Sequence, residues 1–531
     1  MSCTSTEFTE SLQEKPVITD MNTTVLSILT QTTAQESLHL WQWLSIDIFL
    51  HLTLFVLVCY HCLKTRREAT SALLWIFVSW SFPLIGPMFY LIIGINRVPR
   101  KGWHKQRANR NFLAERQARE NEALPMTYWR AVHESLATEP KGSLARELNG
   151  VMNNILQEYP LLGGNQIHPL VNGDEAFPQM LDAIGKARHH VHLQTFIISD
   201  DPVGNKFLDL LAEKAREGVT VRLLFDRFGS TNAMLGHFFS KYRNIPNMHI
   251  SGWTQVNAMK RRFQINLRNH RKALIVDGSQ AFMGGINLHI ENVSRPDEPA
   301  IRDYHFSLQG PIVQELQYSF LRDWYFMTND DPKILLQQSH FPHLPAKGNA
   351  MIRLVNSGPT SDEMEIMSDV VFECLTSARR QILAVTPYFA PTHDIIHAFR
   401  MAALRGVDVR LIVPQHNNHI YAGMAGRALY EELMLAGVRI FERHPPFIHA
   451  KAMIIDDTMA LVGSGNLDVR SLRLNYETNM AVFDAPFINA LKLIVLQDID
   501  ESDEVNLRVW QSRPTSRRFL ENLCNLLTPM L

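Results

Sequence analysis

A chain of 531 residues is long enough for two or three domains, each with a core of its own. Its 46% hydrophobic and 20% charged residues are those of an ordinary globular protein, and a formal net charge of -1 excludes a globally polybasic one, so an anionic partner has to be met by local clusters. The five cysteines, Cys3, Cys59, Cys62, Cys374 and Cys524, are too few and too scattered for a disulfide framework and point to a reducing compartment for the globular part.

Residues 1–37 form a polar leader, read as disordered; it is long, acidic and without the basic start of a signal peptide. Residues 38–96 hold two apolar runs, Leu38 to Leu63 and Ser71 to Ile95. Each is long enough to cross a bilayer core of about 30 Å as a helix. Aromatic and basic residues border both, as interfacial anchors do. Cys59 and Cys62 lie inside the first run as helix-face residues, with no βαβ pattern around them. Asp47 is read at the interface, with the hydrocarbon-spanning part starting at Ile48. Pro83, Gly86 and Pro87 predict a kink or interruption in the second run.

Lys64, Arg66 and Arg67 lie between the runs, whereas Arg97, Arg100, Lys101, Lys105, Arg107 and Arg110 follow the second. The larger basic cluster marks the cytoplasmic side, which places the amino terminus and everything after Arg97 there. The same cluster can also sit against anionic headgroups.

Residues 97–158 read as a basic juxtamembrane connector. The remainder repeats itself. In the first copy, residues 159–330, a helix-period stretch (Phe177 to Ala187) leads to an apolar strand (Val191 to Ile198) and a second helix (Lys206 to Arg216) that ends at Gly218 in REGVTVRLLFD. In the second, residues 349–531, the same order runs through Asp369 to Ala378, QILAVTPYF from Gln381, and LRGVDVRLIVP around Gly406. Glycine after each helix permits a left-handed cap before the next strand, and the pattern is α/β. The polar, Pro-containing residues 331–348 read as a linker. At the far end, RRFLENLCNLLTPML from Arg517 makes an amphipathic helix with Phe519, Leu520, Leu523, Leu526 and Leu527 on one side. Packing of that side onto the globular body is expected in preference to membrane contact.

NLRNHRKALIVDGSQAFMGGIN from Asn266 is echoed by FIHAKAMIIDDTMALVGSGN from Phe447. His270 and His449, Lys272 and Lys451, Asp277 and Asp456, Gly284 and Gly463, and Asn287 and Asn466 all stand at one offset of 179 residues. A shared spacing means a shared backbone path: a strand carrying His and Lys on one face, a turn, a second strand and a glycine-bounded Asn. A lone histidine beside a strand is ordinarily structural and a lone lysine ordinarily a solvated charge; five matched positions in two copies are not explained that way. If the copies pack about a pseudo-twofold axis, two imidazoles and two lysines face each other, with room for a phosphodiester between. One neutral imidazole can attack phosphorus while the other, protonated, serves the leaving alkoxide. Lys272, Lys451, Asn287 and Asn466 can stabilise the non-bridging oxygens. The arrangement requires no metal and no cofactor.

Each imidazole also needs an acceptor for its second N–H. Asp303, in IRDYH after the first copy, and Glu477, in RLNYE after the second, are the candidate orienting carboxylates. Asp277 and Asp456, each followed by turn residues, read as fixing the hairpins. His416 and His419 read as loop histidines.

H-x-K-x-x-x-x-D, present as HRKALIVD and HAKAMIID, resembles the paired motif of the phospholipase D superfamily. From about Trp41 to Leu531 the chain is similar to the bacterial cardiolipin synthases of that superfamily, through PLIGPMFYLIIG, LLFDRFGS, LQGPIVQELQYSFLRDW, TPYFAPT, LMLAGVRIFE, GSGNLDVRSLRLNYE and LLTPML. The resemblance implies two phospholipase D-like α/β repeats related by pseudo-twofold symmetry, behind a transmembrane helical hairpin, in the bacterial inner (cytoplasmic) membrane. It implies a catalytic set of His270, Lys272, Asp277, His449, Lys451 and Asp456, with His270 the nucleophile and His449 the general acid/base, or the reverse. The implied reaction joins two phosphatidylglycerol molecules into cardiolipin and glycerol. Ile301, where such enzymes often carry Trp, and Gln194, where related proteins can be acidic, depart from the pattern and leave phosphatidylethanolamine open as a donor.

A hydrolase of the same chemistry, cutting phospholipid or nucleic acid with water, is the rival reading. The apolar runs and the absence of a net basic domain count against nucleic acid. A catalytically dead membrane scaffold is disfavoured by the intact His, Lys and Asn in both copies.

Overall fold

The computed structural model describes residues 43, 45–65, 69–94, 98–123, 140, 142–253 and 267–526. The leader 1–37, the start of the first apolar run, Arg66, Arg67 and Arg97, and all of 124–139 lie outside them. The chain divides into two compact units, Met1–Arg97 and Val98–Leu531.

In the first unit, the Ser45–Lys64 helix has 20 residues of mean hydropathy 2.0 and is long and apolar enough to cross a membrane. Asp47 sits in its first turn. The second apolar run is not one continuous helix: it is α-helical over Ala69–Ser81, breaks, and resumes as Ile85–Phe89 and a π-helical turn at Tyr90–Gly94. The break falls at Pro83, as expected of a residue that cannot donate to the helical ladder. Both stretches pack on the first helix, through a Phe55–Trp80 ring contact at 5.1 Å and a hydrogen bond of 2.6 Å between His61 Nδ1 and the Tyr90 hydroxyl.

Among the described residues, the second unit carries 17 strands. The first repeat supplies β1 (Leu161–Val171), β2 (His190–Thr195), β3 (Thr220–Asp226), β4 (Met248–Trp253), β5 (Ala273–Val276), β6 (Gln280–Gly284) and β7 (Tyr304–Gln309). The second supplies β8 (Ala350–Ser357), β9 (Gln381–Val385), β10 (Phe389–Ala390), β11 (Asp408–Pro414), β12 (Arg439–Arg443), β13 (Ala452–Ile455), β14 (Met459–Gly463), β15 (Leu467–Asp468), β16 (Glu477–Phe483) and β17 (Ser502–Glu504). Fifteen of them form one sheet, ordered β17-β12-β11-β9-β13-β14-β16-β8-β1-β7-β6-β5-β2-β3-β4; β10 and β15 pair separately.

Read outward from its middle, the sheet is the same twice. β1 and β8 meet antiparallel, with Leu161 opposite Arg353, and each is followed by the corresponding strands of its own repeat. An antiparallel central pair relating two like half-sheets is what a twofold axis through that pair requires. Asn165, fully buried at this junction, donates to the Leu162 and Ala350 carbonyls and accepts from Ile312 N–H, so the unpaired backbone of a local bulge is satisfied. Strands such as ALIV of β5 and AMII of β13 are apolar throughout because helices or loops cover both sheet faces, and all eight residues are buried. The predicted left-handed caps are present at Gly218 (φ +100°) and Gly406 (φ +90°).

Three expectations change. His270, Lys272, His449 and Lys451 do not lie on strands but on the extended segments that lead into β5 and β13, whose ladders begin at Ala273 and Ala452. Lys105, counted with the headgroup-facing cluster, belongs to the 26-residue Val98–Ala123 helix, where it is fully buried and ion-paired to Asp323 at 2.8 Å. On the same helix Phe112 packs between Tyr318 and Tyr325, and Arg116 forks onto Glu315 at 2.7 and 3.0 Å, so this part of the connector is built into the body of the second unit. The C-terminal helix, Thr515–Leu526, turns its polar side inward: Glu521 is buried while Phe519, Leu520, Leu523 and Leu526 are exposed. Arg513, just before the helix, pairs with Glu521 and Arg518 pairs with Glu431 of the body, and these contacts hold that edge inward. Leu527 lies outside the described residues.

Candidate active site

Both copies of the motif are shaped by the same hairpin chemistry. Asp277 (φ +50°) and Asp456 (φ +50°) begin the turns after β5 and β13. The Asp277 carboxylate accepts from the backbone N–H groups of Arg188, His189 and His190; that of Asp456 accepts from Arg379, Arg380 and Gln381. Each carboxylate thus ties the turn to the start of β2 or β9. After the hairpin, Gly284 and Gly463 admit the closest approach of the next strand: a Cβ would stand 2.6 Å from the Tyr304 carbonyl oxygen in one case and 2.4 Å from that of Thr478 in the other. Asn287 and Asn466 follow.

The orienting carboxylates are crossed between the repeats. His449 of the second half pairs through Nδ1 with Asp303 of the first half at 2.6 Å, and His270 of the first half pairs through Nδ1 with Glu477 of the second at 3.0 Å. The backbone explains the exchange. Asn269 bridges in parallel to Tyr476, and Arg302 to Ile448, so each histidine lies beside the acid-bearing segment of the other repeat. His270 N–H donates to the Tyr476 carbonyl at 2.9 Å and His449 N–H to the Arg302 carbonyl at 2.7 Å.

One cleft of about 690 Å³ is lined by His270, His449, Asn287 and Asn466 together. With Nδ1 of each ring engaged by a carboxylate, Nε2 is left for whatever the cleft holds. Asn287 Oδ1 accepts from Ile197 N–H, which fixes the amide. Lys272 Nζ donates to the His270 carbonyl at 2.7 Å, and Lys451 Nζ donates to that of His449 and lies 2.9 Å from His449 Nδ1.

Burial dominates the electrostatics. It lowers the His270 imidazole against the pull of Glu477, and with Lys451 it takes His449 down to about 4. It also brings Lys272 down to about 7 and Lys451 to about 8. The two carboxyls are raised by burial, yet Lys451 and His449 around Asp303, and His270 and Lys272 around Glu477, hold both below the ordinary range. Around neutral pH the site therefore holds two carboxylates behind two neutral imidazoles, with Lys451 mostly and Lys272 about half protonated, and an anionic phosphodiester entering the cleft favours the protonated form of both lysines.

Sequence reasoning missed the support behind this cradle. Asp323 holds Lys105, Arg271 at 2.7 Å and Gln194 at 3.0 Å, and Arg271 in turn donates to the Glu477 and Ser357 carbonyls. In the other half Asp498 holds Arg302 at 2.8 Å, Arg443 at 2.9 Å and the Tyr304 hydroxyl. The available signal was an aspartate in the apolar helix that follows β7 in one repeat and β16 in the other, in LRDW and LQDI. Ile301 and His419 line the cleft mouth, whereas His416 lies on a separate pocket of about 200 Å³.

Residues 180–324 and 371–498 match the family of cardiolipin synthase PLD-like domains, and residues 53–94 match the phospholipase D-nuclease N-terminal family. The chain is 32% identical over 468 residues to a cardiolipin synthase of Geobacillus thermodenitrificans, covering 88% of this chain and 90% of that protein. It is 33% identical over 486 residues to cardiolipin synthase 2 of Bacillus anthracis, with 90% of each chain covered. Among solved structures, the phosphatidylserine synthase of Haemophilus influenzae Rd KW20 shares the fold over 73% of this chain and 100% of that one, with a TM-score of 0.56 at 15% identity.

Proposed function

The chain belongs to the cardiolipin synthase family and is a phosphatidyltransferase, and from that premise we propose that it joins two phosphatidylglycerol molecules into cardiolipin and glycerol through a phospho-histidine on His270. The observation that carries the mechanism is the crossed pairing, which orients both imidazoles by Nδ1 on a single cleft.

In the first half-reaction the Nε2 lone pair of His270 forms a bond to phosphorus as the P–O bond to glycerol breaks. The departing alkoxide takes the Nε2 proton of His449. In the second, the glycerol hydroxyl of another phosphatidylglycerol gives its proton to His449 and bonds to phosphorus as the P–N bond breaks. Lys272, Lys451, Asn287 and Asn466 stabilise the non-bridging oxygens. Burial leaves His449 neutral in the empty cleft, so its working proton comes with the anionic substrate, whose charge offsets the desolvation of the imidazolium. Asp277 and Asp456 contribute by fixing the hairpins.

The two apolar stretches of the first unit span the membrane twice, and the catalytic unit faces the cytoplasm with the basic residues that follow the second stretch. Lys105 is withdrawn from that count by its burial; Arg100, Lys101, Arg107 and Arg110 remain. The substrate is phospholipid and not nucleic acid.

Membranes containing the enzyme, given headgroup-labelled phosphatidylglycerol, should yield cardiolipin and free glycerol. Phosphatidic acid as the sole lipid product would instead assign a hydrolase. His270→Ala and His449→Ala should each abolish cardiolipin formation in folded protein; full activity in either would refute a shared site.

A further inference from the structure

The C-terminal helix faces the opposite way from an ordinary amphipathic helix. Phe519, Leu520, Leu523 and Leu526 fall at the i, i+1, i+4, i+7 spacing of one stripe, the stripe that a soluble helix turns to its core. Here Phe519 is 65% and Leu526 77% exposed, whereas Glu521 on the inner side is 2% exposed. The inward edge is held by specific contacts: Arg513, just before the helix, on Glu521 at 2.7 Å, and Arg518 on Glu431 at 3.2 Å. Arg513 also lies over the Trp510 ring, 3.3 Å from its centre. The outward stripe is therefore a consequence of how the helix is fastened.

This face does not stand alone. The helix packs on Ile420–Arg427, whose first two residues are exposed apolar side chains, and Tyr421 lines the catalytic cleft. Exposed apolar side chains thus occur on both members of a packed helix pair, one of which reaches the cleft. Arg517 on the helix and Arg508 on the short helix before it are exposed, Arg517 with Glu521 at 3.5 Å, so basic side chains accompany the apolar stripe.

We propose that the outer face of the C-terminal helix, continued by Ile420 and Tyr421 at the mouth of the cleft, lies against an anionic phospholipid bilayer. The inference rests on phospholipid being the substrate. Apolar side chains at the level of the acyl chains and arginines at the level of the phosphates are what an interfacial helix requires. The cleft opening beside that surface receives a diacyl lipid headgroup first, without drawing its chains through water.

The test uses the full-length protein in phosphatidylglycerol-containing proteoliposomes, with Leu523 replaced by its diazirine analogue. Irradiation should give an adduct of the mass of the lipid; adducts solely to the chain's own first unit or to a second copy would overturn the proposal by naming another occupant. In parallel, Phe519→Asp/Leu523→Asp should lower the ratio of activity on bilayer phosphatidylglycerol to activity on its monomeric short-chain form by about tenfold or more. An unchanged ratio would also overturn it. Photochemical labelling reads the surface whether or not cardiolipin is formed, so failure of the docking and failure of the transfer reaction give different results.

Discussion

Exchanging one orienting carboxylate at a time separates the two histidines. Asp303→Asn removes the charge from a buried hydrogen bond of 2.6 Å to His449, and Glu477→Gln does the same to His270 across the repeat boundary at 3.0 Å. A hydrogen bond to a charged group is worth about 1.5–3 kcal/mol, which is about ten- to hundredfold in rate if the bond strengthens only in the transition state. An amide can also present its NH2 to Nδ1 and move the proton to Nε2, the wrong tautomer for attack. That extends the expected loss with phosphatidylglycerol toward about 10⁴-fold. The two variants part company on a short-chain phosphatidyl p-nitrophenol, whose leaving group needs no proton. Stopped-flow release of p-nitrophenolate should show a burst in Asp303→Asn within about tenfold of the parent. In Glu477→Gln the burst should fall as steeply as turnover of phosphatidylglycerol, because the nucleophile itself is misaligned. If both variants lose the burst equally, the division of labour is refuted; if Asp303→Asn alone loses it, the nucleophile is His449.

Lys105→Met should destabilise the protein by about 3–5 kcal/mol in denaturant titrations, because it strips one counter-charge from the fully buried Asp323; a loss below about 1 kcal/mol would mean that Arg271 alone suffices. Stability should also fall with acid. Burial holds His190 at about 3 and His305 and His340 at about 4, below their ordinary 6.5, so the unfolded chain binds more protons. The contribution is fully present above about 6.5 and is lost as the pH falls toward about 4, and His305 alone should give about 2 kcal/mol less stability at pH 5 than at pH 7.5. Denaturation midpoints that do not change across that interval would contradict it.

The histidines and asparagines that the structure brings to one cleft were legible because they sit in short contiguous motifs, and repetition at one offset singled out individually ordinary residues as a candidate site. The order of strands and helices was legible for a similar reason, since apolar runs and terminal glycines report local structure. Which carboxylate serves which histidine was not: Asp303 and Glu477 can be named as partners from sequence, but their exchange depends on two backbone bridges between the halves, and local sequence carries no record of such bridges. Lys105 was misplaced because a basic cluster looks alike whether its members face lipid or a buried aspartate. An apolar stripe likewise does not say whether it meets the core or turns outward, and in the C-terminal helix the ion pairs of Arg513 with Glu521 and of Arg518 with Glu431 decide against the core.

The sheet is nearly symmetric, but the two histidine–carboxylate pairs are not, and the difference supports the roles given to them. Glu477 accepts from Ser464 at 2.6 Å, from Ser471 at 2.9 Å and from Asn475 at 3.3 Å as well as from His270, so its negative charge is shared among several donors. Asp303 is bonded to the Tyr304 N–H and commits its other oxygen to His449 at 2.6 Å. A carboxylate with fewer competing donors stabilises an imidazolium better. What opposes protonation of His449 in the empty cleft, after burial, is the Lys451 ammonium 2.9 Å from Nδ1. A bound phosphodiester draws that ammonium to its own oxygens and adds a negative charge beside Nε2, which removes the opposing effect. His270 keeps its weaker, divided partner and stays neutral, the state an attacking nitrogen needs. In the proposed mechanism, binding of the substrate thereby sets the protonation states for its own cleavage, with the acid at His449 and the nucleophile at His270.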